Sequence, residues 1–395
     1  MPNEMMSMSK ETAMSNGRGG HLYMQTNEVK NFIVHYHRSA NGTLDEVERV
    51  ATGGAGSGTY KPISGQEIAP NAFEGAGSVI LTPDRKFLFA TNGADNSVSS
   101  FAVGEHGRLT LLDTLYRHGG RDAEGDALAP TPAQQPFISD LDTWLARHDA
   151  LVFSGAARRG AAIHSLRAVD PDDVSRVVDA TGDEPLHAHV SEQPAENRQV
   201  AAAFGRTPVA VLRDAGALGA RFTAVHATHL AADDIANLSE SFVCICPTTE
   251  RDLGDGIGPA RELHEAGARL TIGSDQHVVV DPFDELRALE GHERLRSSRR
   301  GIFSPAELIT AATTDGYRSL GWTGGLAVGA VCDLVTLRTA SPRTAGAALD
   351  QLWLAASAAD VTDVVVGSQR VVTEGAHRLG DVGAALTTAI GAVLP

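Results

Sequence analysis

The sequence is poor in cysteine, in basic residues and in long apolar runs, and each shortage excludes a class of protein. Three cysteines in 395 residues cannot build the disulfide framework of a small secreted domain. The 33 Lys and Arg residues stand against 49 Asp and Glu residues and give a net charge of −16. Such a chain is unsuited to nucleic acid or anionic lipid, because phosphate contacts need clustered cations. No apolar run approaches the roughly 18 residues of a transmembrane helix, so no membrane association is expected.

The amino-terminal segment is polar and rich in methionine, and it has no apolar core of the kind found in signal peptides. We therefore predict a disordered tail over residues 1–19 and a cytoplasmic protein. The character of the chain then changes near residue 113. Residues 20–113 are rich in Gly, Asn, Ser and Thr, whereas residues 114–395 alternate Ala-rich helical stretches with short Val, Ile and Leu strands. The alternation predicts an α/β fold built from parallel βα units.

The first part contains an internal repeat. The segment TNEVKNFIVHYHRSANGTL begins at Thr26, and TNGADNSVSSFAVGEHGRL begins at Thr91, an offset of 65 residues without a gap. Gly42 and Gly107 align, so each copy reads as strand, glycine turn and strand. Together with GSVILTPDRKFLFATNGADNSVSSF, this part resembles the lactonase and 3-carboxymuconate-cyclase type of seven-bladed β-propeller. The resemblance covers residues 20–113, which is under two blades.

Polar side chains collect at the ends of the strands predicted in the second part. His187 and His189 end one strand with Glu192 just beyond it, His226 and His229 end the next, and Asp275 ends the last. Chemistry at the carboxyl ends of successive parallel strands is typical of a TIM-type barrel. A metal-activated water needs imidazole and carboxylate ligands and a nearby carboxylate to move protons, and this set supplies all of them. The predicted strands are 108–116, 161–166, 184–191, 222–229, 241–249 and 268–275.

These motifs resemble the amidohydrolase superfamily. The runs IHSLRAV, PLHAHVSEQ, VHATHL, PTTERDLGDGI and GSDQHVVVDPFDELRALE are similar specifically to formimidoylglutamate deiminase, over about residues 108–395. The resemblance implies an incomplete TIM-type (β/α) barrel over 108–325. A small β-sheet region and a terminal helix would follow over 326–395. It also implies hydrolysis of N-formimino-L-glutamate to N-formyl-L-glutamate and ammonia, with one Zn²⁺ as cofactor and a small molecule as the main partner.

The resemblance also implies a role for each site residue. His189 and Asp275 would be metal ligands, and Asp275 would take a proton from the attacking water. Glu192 would carry protons to the leaving nitrogen, and His226 would polarise the reacting carbon centre or stabilise the adduct. The pair at the end of strand 161–166 would bind the glutamate portion of the substrate, since an Arg fork fits a carboxylate. That pair consists of His164 and Arg167.

The sequence departs from this family at its front. The family's first barrel strand ends in H-x-H and supplies two further zinc ligands, and this chain has no such strand in a barrel setting. We therefore expect impaired activity. An alternative places these ligands at His35 and His37, but they align with Ser100 and Ala102 of the repeat, and a hairpin turn follows them where a barrel needs a crossover. Alternative functions are a non-catalytic fusion relic, or a propeller-type lactonase or interaction module.

Some side chains have plainer interpretations. His187 and His229 are expected to orient neighbours, and Arg167 has a surface ion pair as its alternative. Cys244 and Cys246 alternate onto one face of a buried strand, and we interpret them as core residues because zinc cysteines usually have wider spacing. A homodimer is a further candidate assembly.

Overall fold

In a computed structural model of the chain, residues 19–26, 28, 30–54, 60–61, 69–70, 79–82, 85–92, 97–112, 114–131, 134–152, 157–276 and 279–393 are described. The tail predicted over residues 1–19 lies outside this set, apart from Gly19. The chain divides into two compact units. The first comprises residues 1–112 with 392–395, and the second comprises 113–391.

The first unit is built from antiparallel sheets. A three-stranded sheet has the order β1-β2-β3, a pair joins β4 to β5, and a four-stranded sheet has the order β6-β7-β8-β9. The described strands are β1 (Gly20–Gln25), β2 (Phe32–Arg38), β3 (Leu44–Ala51), β4 (Tyr60–Lys61), β5 (Ala69–Pro70), β6 (Val79–Leu81), β7 (Phe87–Asn92), β8 (Ser97–Val103) and β9 (Leu109–Leu112).

The two copies of the repeat fold as the sequence predicts. In each copy two antiparallel strands flank a glycine turn: β2 and β3 in the first, β8 and β9 in the second. Gly42 and Gly107 occupy equivalent turn positions with φ of 92° and 74°, values that glycine adopts without steric cost. The apolar core of this unit gathers around Phe101, which is fully buried among a few side chains of β2, β7 and β9.

The second unit contains a parallel five-stranded sheet of order β10-β11-β12-β13-β14, with helices between the strands. Parallel strands with short, nearly continuous apolar runs are buried on both faces, as the consecutive buried residues Phe242 and Val243 show. The strands are β10 (Ala161–Ile163), β11 (Leu186–Val190), β12 (Phe222–His226), β13 (Phe242–Ile245) and β14 (Arg269–Ile272). Within the described residues β10 and β14 do not pair with each other, and the predicted incomplete barrel is confirmed in this form.

The strand predicted over residues 108–116 is divided. Residues 109–112 form β9 and pair antiparallel with β8, whereas Leu115 makes a parallel bridge to Ile163. The Leu115 amide donates to the Ala162 carbonyl at 3.0 Å, and the His164 amide donates to the Leu115 carbonyl at 3.0 Å. The prediction of one continuous strand is therefore wrong, because the two halves satisfy their backbone hydrogen bonds in different sheets.

Helices surround the parallel sheet and continue beyond it. Their bounds are α1 (Leu141–Ala150), α2 (Pro171–Thr181), α3 (Pro194–Phe204), α4 (Pro208–Asp214), α5 (Ala232–Asn237), α6 (Pro247–Leu253), α7 (Ala260–Glu265), α8 (Pro282–Ser297), α9 (Pro305–Ala312), α10 (Thr314–Ser319), α11 (Leu352–Ala355) and α12 (Val382–Val393). A capping box opens α9. The Ser304 hydroxyl accepts from the Glu307 amide at 3.2 Å, and the Glu307 carboxylate accepts from the Ser304 amide at 2.7 Å.

The carboxyl-terminal part forms a separate antiparallel sheet, within the region where a small β-sheet is expected. Its strands are β15 (Leu334–Leu337), β16 (Val361–Val366), β17 (Gln369–Thr373) and β18 (Ala376–His377), in that order. Among the described helices, each is too short or too polar to span a bilayer.

Candidate metal and catalytic site

The polar residues predicted from the strand ends come together at the carboxyl edge of the parallel sheet. His189 lies on β11, His226 is the last residue of β12, and Asp275 follows β14 by three residues. The backbone here adopts left-handed conformations that side chains other than glycine seldom take, with φ of 69° at His226 and 41° at Asp275. Ser191 and Ala227, at 52° and 51°, share this feature. Such strain collects where a structure holds functional side chains in place.

His189 is oriented by a backbone contact. Its Nδ1 lies 2.8 Å from the His164 carbonyl oxygen, which accepts the Nδ1 proton. The tautomer that results leaves Nε2 with a free lone pair, the arrangement that metal-binding histidines use. Burial is the main cause that lowers the pKa of His189, so the ring is neutral as a ligand must be.

His226 lies between carboxylates. Its Nδ1 is 3.4 Å from Glu250 Oε1, and its Nε2 is 3.9 Å from both Glu192 Oε1 and Asp275 Oδ2. Burial opposes protonation, but the Glu250 hydrogen bond and the surrounding negative charges outweigh it and raise the pKa of His226. The ring stacks on His189 with centroids 5.6 Å apart. The site therefore holds the neutral imidazole of His189 beside the imidazole of His226, whose charged form is favoured.

Arg167 and His164 lie beside this cluster, where the resemblance places the substrate's glutamate portion. Arg167 NH2 donates to Glu192 Oε2 at 2.9 Å, while its buried Nε has no hydrogen-bond partner in the described part of the chain. Burial, with the nearby charges of His189 and Arg167, lowers the pKa of His164 to about 3. The guanidinium therefore pairs with a site carboxylate, and the surface ion pair considered from the sequence is not what the structure shows.

Two buried glutamates were missed from the sequence. Glu250, in the first turn of α6, hydrogen-bonds His226 and also accepts from the Cys246 amide at 2.8 Å. Glu196, in the first turn of α3, accepts from the Glu192 amide at 3.0 Å, and burial raises its pKa to about 6. One sequence signal could have identified both glutamates: each lies in the first turn of a helix that directly follows a polar strand end. The first turn of such a helix lies close to the carboxyl edge of the sheet, where the site residues are.

Two further histidines of the strand ends, His187 and His229, stay outside the cluster. His187 contacts the Ser319 carbonyl through Nε2 at 3.1 Å, and His229 contacts the Asp255 carbonyl at 2.7 Å. The orienting role expected for both stays a prediction. His35, in the first unit, has both ring nitrogens engaged: Nε2 lies 2.9 Å from His21 Nδ1, and Nδ1 lies 3.2 Å from Glu48 Oε1.

The donor set fits a zinc ion. Ligand atoms of His189, His226 and Asp275 all lie within 4.8 Å of one another, and imidazole with carboxylate is a usual ligand combination for Zn²⁺. The free Nε2 of His189 gives the set one preformed ligand. His226 has the opposite preference, because its Glu250 contact favours the protonated ring.

Comparison with known proteins gives two family matches. Residues 133–371, more than half of the chain, match the Amidohydrolase family, and residues 12–123 match the family described as Lactonase, 7-bladed beta-propeller. The chain is 36% identical over 287 residues to a formimidoylglutamate deiminase of Pseudomonas aeruginosa, an alignment that spans 68% of the chain and 62% of the relative.

Solved structures agree on the fold. An amidohydrolase from Brucella melitensis superposes with a TM-score of 0.65 and 33% identity, covering 72% of this chain and 66% of that one. A zinc-bound adenosine deaminase from Xanthomonas campestris gives a TM-score of 0.60 and 27% identity, covering 65% and 62%. The chain therefore spans less than two thirds of the length of each of these relatives. By its sequence and by the fold of its second unit, it belongs to the amidohydrolase family.

Proposed function

We propose that the second unit is the catalytic part of a zinc-dependent C–N hydrolase for a formimino-glutamate-like substrate. The reaction is N-formimino-L-glutamate plus water to N-formyl-L-glutamate plus ammonia. The observation that supports it best is the convergence of His189, His226 and Asp275 with Glu192 at one edge of the parallel sheet. The 36% identity to a protein named formimidoylglutamate deiminase supports the substrate class.

His189 and Asp275 would hold the zinc ion, His189 through the Nε2 that its bond to the His164 carbonyl leaves free. When bound, the ion supplies Lewis acidity and lowers the pKa of a coordinated water. Asp275 would then accept the proton from the attacking water. Glu192 would deliver a proton to the departing nitrogen, which leaves as ammonia.

Geometry supports a short proton route between these carboxylates. Glu192 and Asp275 each lie 3.9 Å from the same nitrogen of His226, a separation that one water or a small side-chain motion would bridge. A charged His226 would stabilise the negative charge that develops on the adduct. Its raised pKa is the property this role requires.

The substrate's carboxylate would be bound by Arg167 with His164. Because Arg167 pairs with Glu192 at 2.9 Å, an arriving carboxylate would compete for the same guanidinium. Binding would then free Glu192 for proton transfer and satisfy the unpaired Arg167 Nε. Adenosine itself lacks this anionic group, so the arginine favours a substrate that carries a carboxylate, such as the glutamate-like class.

We also propose that metal affinity and turnover are low in this chain. Zinc sites generally use three or four protein ligands, and His189 with Asp275 supply two. The H-x-H formed by His35 and His37 belongs to the first unit, where the two ring nitrogens of His35 contact His21 and Glu48. The competing hypothesis is a relic that retains the pocket without turnover.

The test measures ammonia release from N-formimino-L-glutamate by the purified chain with added Zn²⁺, together with the zinc content. We expect slow turnover that Asp275→Asn lowers about a thousandfold. Asp149→Asn, at a side chain 94% exposed, is the matched control and should leave the rate unchanged. No release above the Asp275→Asn background would reject the enzyme in favour of the relic. Lactone hydrolysis that survives Asp275→Asn would instead support the propeller-type function.

A further inference from the structure

A second group of metal-ligand side chains lies next to the catalytic cluster. A ring nitrogen of His226, Sγ of Cys246 and a carboxylate oxygen of Glu250 all lie within 4.8 Å of one another. All three residues are buried, with relative exposures of 1%, 2% and 2%.

The fold brings a second thiol to the same place. Cys244 lies on β13, where its side chain points away from the face that buries Val243 and Ile245, and Cys246 directly follows this strand. Gly273, just after β14, faces them. A Cβ at this glycine would lie 3.1 Å from Sγ of both cysteines. The two sulfur atoms therefore lie on either side of the space that a side chain at position 273 would fill.

One of the two thiols, that of Cys244, is reachable from a cavity. Cys244 lines a cavity of about 540 Å³ together with three other side chains of the same sheet face, His187, Thr223 and Thr271. Thr223 Oγ is buried without a hydrogen-bond partner among the described residues. A hydrated ion has room to enter a space of this volume and to meet the sulfur of Cys244 first.

We propose that His226, Cys246 and Glu250 form a binding site for a second, thiol-seeking divalent cation such as Zn²⁺ or Cd²⁺. One sulfur, one imidazole and one carboxylate are a ligand combination that borderline-soft ions select over Mg²⁺ or Ca²⁺, and water would complete the coordination. Binding would displace the thiol proton of Cys246 and the His226 ring proton that faces Glu250, and both protons would leave to solvent. The site is distinct from the pair His189 and Asp275.

Occupancy would have a consequence for catalysis, and this consequence rests on the proposed function. The nitrogen of His226 that faces Glu250 would bind the ion, so the ring could no longer be protonated there. The second cation would thus inhibit the hydrolase. Binding itself does not depend on turnover, which separates the two proposals.

The experiment titrates the full chain with Cd²⁺ alone and follows the ultraviolet thiolate-to-metal charge-transfer absorption, with the Cys332→Ser variant as the starting protein because Cys332 is exposed. We expect one thiolate-bound Cd²⁺ per chain. Cys246→Ser and Glu250→Gln should each weaken it at least about tenfold. His189→Ala should keep the absorption, because that residue is not a ligand of this site.

An absent absorption in the folded starting protein would overturn the proposal, and so would an absorption that is unchanged in both Cys246→Ser and Glu250→Gln. Circular dichroism of each variant separates loss of ligand from loss of fold. Inhibition of ammonia release by excess Zn²⁺, relieved in Cys246→Ser, tests the consequence. A chain that shows the absorption and releases no ammonia would retain this site while rejecting the proposed function.

Discussion

Histidine serves different ends in the two units. In the first unit His35 is fully buried and shares its ring nitrogens between His21 and Glu48, which ties three strands of an antiparallel sheet together. In the second unit His189 donates a hydrogen bond from Nδ1 to a backbone carbonyl, and its Nε2 stays free, while His226 faces carboxylates. A histidine with both nitrogens satisfied stabilises structure, and one with a free, aimed nitrogen can do chemistry.

Among the described residues, the two units also differ in the number of apolar side chains that they bury. The core of the first unit is a small cluster around Phe101, with Ile33 and Leu88 among its members. The core of the second unit extends across all five parallel strands and into the helices, with Phe222 at its centre. A larger core can hold strained backbone and buried charge, which is where positive φ values at His226 and Asp275 are found.

The largest effect should come from truncating the two core phenylalanines. Phe222→Ala and Phe101→Ala each remove a fully buried ring, at a cost of about 3–5 kcal/mol. Because the first unit has the smaller core, we expect Phe101→Ala to abolish hydrogen-exchange protection in β7 and β8. Phe222→Ala should only weaken protection in β11 and β12. Phe89→Ala, at a ring 39% exposed, is the control, and equal losses in the two units would contradict the comparison.

Acid should act on the second unit through His164. Its folded-state pKa of about 3 lies below the unfolded value of 6.5, so the unfolded state binds more protons between these values. Stability is therefore lost as the pH falls from 6.5 toward 3, by about 2 kcal/mol at pH 5 from this residue alone. Urea titrations at pH 7 and pH 5 measure this loss of unfolding free energy, and in His164→Asn the loss should be smaller by about 2 kcal/mol. An unchanged pH dependence would show that other groups govern it.

The Glu250→Gln variant tests the chemical role of His226 in the second unit. The hydrogen bond and charge of Glu250 help to raise the pKa of His226, and a protonated His226 is the form that the proposed role needs. Activity should be lost as the pH rises through this pKa, and the variant should move that alkaline limb down by about one unit. Glu265→Gln, at a side chain 61% exposed, is the matched control. An alkaline limb at the same pH in Glu250→Gln as in the parent protein would show that Glu250 does not set the pKa of His226.

The smallest effect should come from the capping box of α9. Ser304→Ala removes the acceptor for the Glu307 amide and should cost about 1 kcal/mol in urea unfolding. Ser304→Thr keeps the acceptor and should cost less. Equal losses for the two variants would mean that the cap itself contributes little.

Local patterns predicted much of this molecule. The repeat with Gly42 and Gly107 predicted two hairpins, because a turn that needs positive φ is written into the residues that form it. Strand-helix alternation predicted the parallel sheet, and the polar strand ends predicted the neighbourhood of His189, His226 and Asp275. The roles assigned to these residues remain predictions. The strand expected over 108–116 was wrong since its apolar pattern suits either of two sheets.

What the sequence by itself determined is the family, the order of the βα units and which strand ends carry imidazole and carboxylate, since all of these follow from spacing along the chain. Only the tertiary structure decided the pairings across strands: Glu250 with His226, Arg167 with Glu192, and Cys246 with both Glu250 and His226. The physical reason is that hydrogen bonds and charge interactions depend on distances of a few ångströms between residues of different strands and loops. Those distances are fixed by how β11, β12 and β13 pack, and no local pattern contains them.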